Sequence, residues 1–430
     1  MKRLVIPLLC LLLALAGVVG AQGEPALYID VSHSLGPISP YVYGANYGPL
    51  QTVPLDLADE AQQSGIRFLR FPGGRWGDQN NIQHFHIDMF IKLARQLGAE
   101  PSISVRLEGG TPEAAAELVR FTNIERGYGV RYWAIGNEPN LFDNYTTEDH
   151  NREWRAIAEA MLAVDPTILL IGPDTSQYSG DPATDPRDSQ GRDWVREFLL
   201  ANGDLVDIVA VHRYPFPRSM AYPVTTIDDL RQNAPEWSRI LPALRAVIRE
   251  TTGRDDLPVA ITEANSHWSK SIGGEATPDS FYNAVWWADV LGRLIRDGAF
   301  IVNYFDFQSN PSRGGWGLLG SYEVRPTYYT YQLYKRFGNE LVYASSSVPD
   351  LSVYAALRDD GMLSVLVVNL GDDPQVHPLH LDGATVAGPA EVWRLDAEHN
   401  AERLDDLALR AEPLSAPGQS VTLYLIPLTR

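Results

Sequence analysis

The sequence predicts a (β/α)8 barrel, the TIM-barrel class of α/β fold, with a C-terminal antiparallel β-sandwich domain. Three observations predict it. From Val42 to Gly338, short apolar strands alternate with helix-length amphipathic segments, and counting strand-then-helix units gives eight, the number that closes a parallel barrel. Beyond Gly338 the apolar period falls to two residues and no helix-length period remains. Two of the barrel strands end in a glutamate, at Glu138 and Glu263.

The chain divides on these grounds into residues 1–21 as a signal peptide, 22–40 as an N-terminal strand that joins the β-domain, 41–338 as the barrel and 339–430 as the sandwich. Met1-Lys2-Arg3, the apolar run Leu4 to Val19 and Gly20-Ala21-Gln22 have the charged start, apolar middle and small-residue exit of a secretory signal. The mature protein is therefore expected to be secreted, extracellular or periplasmic, and free of the membrane after cleavage. Cys10, the one cysteine, lies inside that run, so stability is expected from the core rather than from disulfides. A composition 45% hydrophobic and 21% charged is that of a globular protein, and a formal charge of −19 argues against a nucleic-acid partner.

Taken in order, Ala26 to Val31 alternates as a strand of the β-domain, and Ile38 to Asn46 opens the barrel. Helix Leu55 to Ser64, strand Arg67 to Phe71, helix Ile87 to Leu97 stopped by Gly98, and strand Ser102 to Leu107 follow. Thr111-Pro112-Glu113 supplies an N-cap, a first-turn proline and a first-turn acid for a helix reaching about Arg126. The fourth strand, Arg131 to Ile135, runs into Gly136-Asn137-Glu138-Pro139. Helix Glu148 to Val164, strand Ile168 to Gly172, helix Trp194 to Leu200 and strand Val206 to Val211 come next. The helical stretch Leu230 to Glu250 precedes the seventh strand, Pro258 to Glu263; helix Phe281 to Arg296, strand Phe300 to Phe307 and helix Thr327 to Phe337 complete the barrel. Leu351 to Leu357, Leu363 to Asn369, Ala390 to Leu395 and Ser420 to Ile426 are the sandwich strands.

A parallel barrel gathers its site at the C-terminal strand ends, so Glu138 and Glu263 point into one bowl although 125 positions separate them in sequence. Two carboxylates facing across a pocket suit glycosidic cleavage, in which one protonates the leaving oxygen and the other attacks the anomeric carbon. The motifs Tyr43-Gly44-Ala45-Asn46, Arg70-Phe71-Pro72-Gly73-Gly74, Gly136 to Pro139, His212-Arg213-Tyr214, Ile261-Thr262-Glu263 and Arg325-Pro326-Thr327-Tyr328-Tyr329 surround that pair. In these motifs the chain resembles the retaining glycoside hydrolases whose barrels carry the acid/base on strand four and the nucleophile on strand seven (clan A). Families 51 (α-L-arabinofuranosidases), 39 (β-xylosidases) and 44 (endoglucanases) match best.

The resemblance implies that Glu138 is the general acid/base, with a pKa raised by burial and by Glu263, and that Glu263 is the nucleophile. It further implies that Asn137 binds the sugar 2-hydroxyl, that Tyr214 orients Glu263 and that Arg70 keeps it ionised. His212 either lines the sugar subsite or satisfies neighbouring backbone groups. Gln308 matches a sugar-binding glutamine of the arabinofuranosidases, whereas Asn46 stands where those enzymes carry a glutamate, a departure that weakens an arabinoside assignment. Trp76, Tyr178, Phe216, Trp268 and Trp316 follow barrel strands and are candidates for stacking on sugar faces, while Trp133, Trp286 and Trp287 read as core. The expected activity is retaining hydrolysis of polysaccharide or oligosaccharide, with an endo-β-glycanase or β-glycosidase favoured. An α-L-arabinofuranosidase and a non-catalytic carbohydrate-binding protein are the alternatives.

No cofactor or metal is expected for that chemistry. His84-x-His86-x-Asp88 superficially invites a zinc reading, and the aspartates between Asp181 and Asp193 could hold calcium but miss EF-hand spacing. A Gly-x-Ser-x-Gly elbow is missing, which argues against an esterase.

Overall fold

The computed structural model describes residues 26–222 and 224–429; the expected signal segment and Cys10 lie outside them. Eight parallel strands close into a barrel: β1 (Gly44–Asn46), β2 (Phe68–Phe71), β3 (Glu100–Val105), β4 (Tyr132–Ile135), β5 (Leu169–Thr175), β6 (Ile208–Arg213), β7 (Val259–Ala264) and β8 (Ile301–Tyr304). Closure is made by β1 pairing with β8, Gly44 opposite Asn303 and Ala45 opposite Tyr304. Glu138 thus follows the fourth strand and Glu263 lies on the seventh, as expected.

Several boundaries differ from expectation, three of them near the site for local reasons. The strand expected at Ile38 to Asn46 shrinks to Gly44–Asn46 because Pro40 starts a one-turn helix, Pro40–Val42, capped by the Ser39 hydroxyl. Strand β5 continues past Gly172 to Thr175, which carries Asp174 into the bowl. The helix expected to begin at Ile87 begins at His84, where Gln83 and His86 cap each other reciprocally.

Strand alternation fills the lower barrel with Phe68, Tyr132, Ile171, Ile208, Ala260 and Ile301. Arg70 and His212 sit two and four residues beyond Phe68 and Ile208, on the same inward face. Register shifts in β7, against both β6 and β8, interrupt the ladder beside Glu263.

The N-terminal strand Leu27–Pro37 crosses back to the C-terminal domain and pairs antiparallel with Glu340–Ser346 and parallel with Leu379–Asp382. It belongs to an eight-stranded sheet that also holds the four expected strands and Asn400–Leu407; two two-stranded ribbons complete the domain. Strand Leu363–Asn369 shows why this region reads as strongly apolar. Leu363, Val365 and Val367 pack in the domain's own core, whereas Leu366 and Val368 face the barrel. The barrel answers with helix Phe281–Arg296, which is buried on nearly every side. Tyr354 is buried there and donates its hydroxyl hydrogen to Asp289 Oδ1 at 2.6 Å. Trp393 is partly buried beneath the Arg336 guanidinium.

Gly292 lies under the Tyr354 ring, where an added Cβ would overlap the ring atoms. Gly292→Ala is expected to destabilise the protein by about 1–3 kcal/mol despite the better helix propensity of alanine. Urea unfolding measures this, and an unchanged midpoint would show that the domain contact is not close-packed at this residue.

Candidate active site

Arg70 stands at the centre of the bowl with no exposed surface. Its Nη1 donates to Glu263 Oε1 at 2.8 Å and to Asn46 Oδ1 at 3.1 Å, and its Nη2 donates to Asn137 Oδ1 and Asp174 Oδ2, both at 3.0 Å. Glu263 also accepts the Gly74 backbone N–H at 2.8 Å and the Tyr214 hydroxyl at 2.8 Å. Both oxygens of Glu263 are therefore held by fixed donors. Burial and the neighbouring carboxylates push the Tyr214 phenol well above its ordinary range, so it remains a proton donor.

Glu138 is held by its backbone. It takes a left-handed conformation (φ 52°, ψ 54°) just before Pro139, and its N–H donates to the carbonyl of Asp174, itself left-handed at φ 53°. Such conformations cost about 1–3 kcal/mol each in non-glycine residues and persist where the surroundings enforce them. The preceding amide, Asn137 N–H, donates to Asp78 Oδ2 at 2.7 Å, and Asp78 Oδ1 accepts from Leu107 and Glu108. Burial outweighs those three N–H donors and pushes the Asp78 pKa up to about 6.

His212 fills the space between the acids. Its Nδ1 is 3.2 Å from Glu138 Oε1 and 3.8 Å from Glu263 Oε2, and its Nε2 is 3.7 Å from Asp174 Oδ1. Burial disfavours its charge, but Glu263, Asp174 and Glu138 outweigh burial and push its pKa up to about 9. Neither reading open for His212 matches its place: its ring faces carboxylates rather than backbone groups, and it is fully buried outside the cleft lining. Glu138 moves opposite to expectation. Burial raises its pKa, but the hydrogen bond and charge of His212, with smaller help from Ser176 and Arg70, hold it below the ordinary glutamate range. Asp174 is likewise buried, yet Arg70, His212 and the Thr262 hydroxyl hold it well below the usual aspartate range.

The remaining expected residues separate into two groups. Trp268 and Trp316 line a cleft of about 730 Å³ together with Glu138, Glu263 and Tyr214. Asn137, next to Glu138, is buried outside the cleft lining, with its Oδ1 accepting from Arg70 and its Nδ2 unpartnered. Asn46 does not face the cleft; it is fully buried, with Nδ2 donating to the Thr262 carbonyl, and it positions Arg70. Gln308 is turned toward Thr52 and Gly320, outside the cleft lining. Trp76 packs edge-on against His86, Tyr178 is buried in the barrel core, and Phe216 packs beside His267 beneath the rim. Trp133, Trp286 and Trp287 are core, as expected.

The His84-x-His86-x-Asp88 string makes no ligand set: His84 stacks on Phe121, His86 caps the helix, and Asp88 accepts from Arg126 and Tyr128. Asp185 and Asp188 in the aspartate-rich loop are spent on Ser179, Thr147 and Arg192. Among the described residues the one group spaced to hold a metal is Glu138, His212 and Glu263, whose ligating atoms all lie within 4.8 Å of one another. Sequence reasoning missed three acids of the site. Asp174 was legible in principle, as a third acid at a strand end, but Asp78 and Asp306 have no local signal. Burial outweighs Arg313, Arg325 and Gln51 at Asp306 and pushes its pKa up to about 8.

No protein-family profile matches the chain. Among solved structures, a bifunctional glucanase-xylanase from a metagenome library superposes with a TM-score of 0.73 at 20% identity, covering 94% of this chain and 99% of its own. A Paenibacillus polymyxa xyloglucanase of glycoside hydrolase family 44 gives 0.71 at 17% identity, covering 93% and 99%. The family 51 α-L-arabinofuranosidase of Thermotoga petrophila gives 0.69 at 19%, again covering 93% and 99%. The chain has the fold of these glycoside hydrolases. Both the barrel and the β-domain of that fold are present, since the superpositions span nearly whole chains. Curated relatives match over less. An intracellular exo-α-(1→5)-L-arabinofuranosidase of Halalkalibacterium halodurans is 27% identical over 247 residues, 44% of this chain and 48% of its own. A probable α-L-arabinofuranosidase C of Aspergillus fumigatus is 23% identical over 209 residues, 35% and 41% respectively. The chain thus spans less than half the length of the curated relatives it matches.

Two outcomes test this electrostatic arrangement. Arg70→Leu strands Asp174 and Glu263 without their cation and is expected to cost about 3–5 kcal/mol. The folded pKa of Asp174 is depressed, so the stability it contributes is present above its ordinary value of 3.8 and lost as pH falls through the folded value. The difference between wild type and variant in urea unfolding should therefore be full at pH 6 and shrink below pH 3.8. For His212 the folded pKa is raised. Its contribution is complete below 6.5 and lost as pH rises through about 9, so imidazole NMR should find it protonated at pH 7.5. A neutral ring at that pH would overturn the assignment.

Proposed function

We propose that the protein is a secreted glycoside hydrolase that cleaves polysaccharide or oligosaccharide by double displacement, with Glu138 as acid/base and Glu263 as nucleophile. The observation that carries this reading is the pair itself. A carboxylate oxygen of Glu138 and one of Glu263 lie within 4.8 Å across the floor of an aromatic-walled cleft. Retaining enzymes hold their two carboxyl groups about 5–5.5 Å apart, whereas inverting enzymes need about 6.5–9.5 Å to admit a water. Secretion rests on the charged-apolar-small pattern of residues 1–21.

In the first step an oxygen of Glu263 bonds to the anomeric carbon as the glycosidic bond breaks, and the departing oxygen takes a proton from Glu138. In the second, Glu138 accepts a proton from water, whose oxygen displaces Glu263 and frees the sugar. Without substrate the proton of the Glu138–His212 pair resides on the imidazole, and Nδ1 at 3.2 Å is placed to pass it to Glu138 when the leaving oxygen displaces that contact. Asn137 Nδ2, buried and unpartnered, is the donor for a sugar hydroxyl beside the anomeric carbon.

An α-L-arabinofuranosidase is the second reading, favoured by the names of the curated relatives. Asn46 counts against it, being committed to Arg70 and closed off from the cleft. A panel of neutral aryl glycosides and polysaccharides separates the two: release of arabinose alone supports the second reading, and oligosaccharides support an endo-β-glycanase.

NMR of the first-formed product is expected to show retained anomeric configuration, and net inversion would exclude the double displacement. Glu263→Gln should abolish turnover. Glu138→Gln should lower kcat by about 10²–10⁴-fold, least for substrates whose leaving groups need no proton. Full activity in either variant would remove that residue from the mechanism.

A further inference from the structure

We propose that the cleft is built for an acidic glycan, one carrying uronic-acid carboxylates, with Arg75 and Arg218 as the residues that grip it; this inference rests on the hydrolase reading above. The chain has 54 acidic and 35 basic side chains, yet among the described residues the only acids lining the cleft are Glu138 and Glu263, and every other charged lining residue is an arginine: Arg75, Arg213 and Arg218.

These arginines are not the counterions of the reacting pair. Arg70 and His212 are in contact with Glu263 and Glu138, while Arg75 and Arg218 have other neighbours. Arg213 is also committed, donating to Glu236 at 2.6 Å through Nε and to Gln177. Arg75 is loosely held, 3.7 Å from Glu108 with its side chain 45% exposed. Arg218 lies 3.5 Å from Asp229, 67% exposed, and is braced over the Phe216 ring.

Their positions are complementary. Arg75 follows β2 and Arg218 follows β6, four places apart in an eight-stranded barrel, so they project from opposite walls with Glu138 and Glu263 between them. Trp268 and Trp316 offer apolar faces to pyranose rings, leaving ring substituents directed to the walls. A neutral glycan presents only hydroxyls there. A uronate presents a planar carboxylate, which the arginine fork matches with two parallel hydrogen bonds.

The carboxylates could belong to the glycan backbone or to branches on a neutral backbone, and one experiment distinguishes them. The full chain is assayed on polygalacturonate and on glucuronate-branched xylan, each native and after reduction of its carboxyl groups to alcohols. At least one native polymer is expected to show kcat/KM about tenfold above its reduced form, as one charge-assisted contact would supply. Preference confined to one polymer identifies the source. Arg75→Gln and Arg218→Gln should each lower that ratio, while the remote Arg249→Gln should not. Equal rates on native and reduced forms, or turnover of neither, would overturn the acidic-glycan inference. The hydrolase reading is judged separately: turnover of the neutral panel or of a reduced polymer sustains it where the acidic preference fails, and turnover of no substrate, neutral or acidic, overturns both.

Discussion

The guanidinium of Arg70 reaches no solvent, and its four hydrogen bonds end on residues of β1, β5 and β7 and on Asn137, just past β4. A buried cation with fewer acceptors would be costly, because removal from water is repaid only through opposite charge and well-placed hydrogen bonds. The upper barrel supplies both to the two terminal nitrogens, while Nε is buried without a partner. Asn46, Asn137, Asp174 and Glu263 are oriented by one planar group, and two of them carry the charge it needs. Positions far apart in sequence are thereby fixed relative to one another, as pre-organised chemistry requires.

Charge balance explains the rest of the bowl. Three carboxylates, Glu138, Asp174 and Glu263, converge on two cations, Arg70 and His212. Another buried acid, Asp306, is pushed up to about 8 and is neutral near pH 7, where it accepts a hydrogen bond from Gln51. The outcome for Glu138 follows from this balance. Burial and a neighbouring carboxylate do raise a pKa, as the two-carboxylate logic demands, but a charged imidazole at hydrogen-bond distance outweighs both. The acid/base role in the proposed mechanism then belongs to the Glu138–His212 pair rather than to Glu138 alone.

The β-domain is a second layer of support rather than an appendage. Its central strands are apolar on both faces because one face builds the domain's own core and the other covers helix Phe281–Arg296. That helix immediately precedes β8 and packs against the segment Pro326–Tyr334, so the wall carrying Phe305 and Trp316 is braced from behind.

The sequence alone determined the barrel count, the switch to a β-domain, the return of the N-terminal strand and the placement of Glu138 and Glu263 at strand ends. These are legible because they depend on local period and on the position where an apolar run stops. The roles expected for Asn46, Gln308, Trp76, Tyr178 and Phe216 did not follow from their placement after strands, since whether a rim side chain faces the cleft is set by packing against residues from other strands. Asp174 and His212 became intelligible only when β4, β5, β6 and β7 were side by side. A sequence states which residues end the strands. Only the closed barrel decides which acid meets which cation, because electrostatic effects fall with distance through space and take no account of distance along the chain.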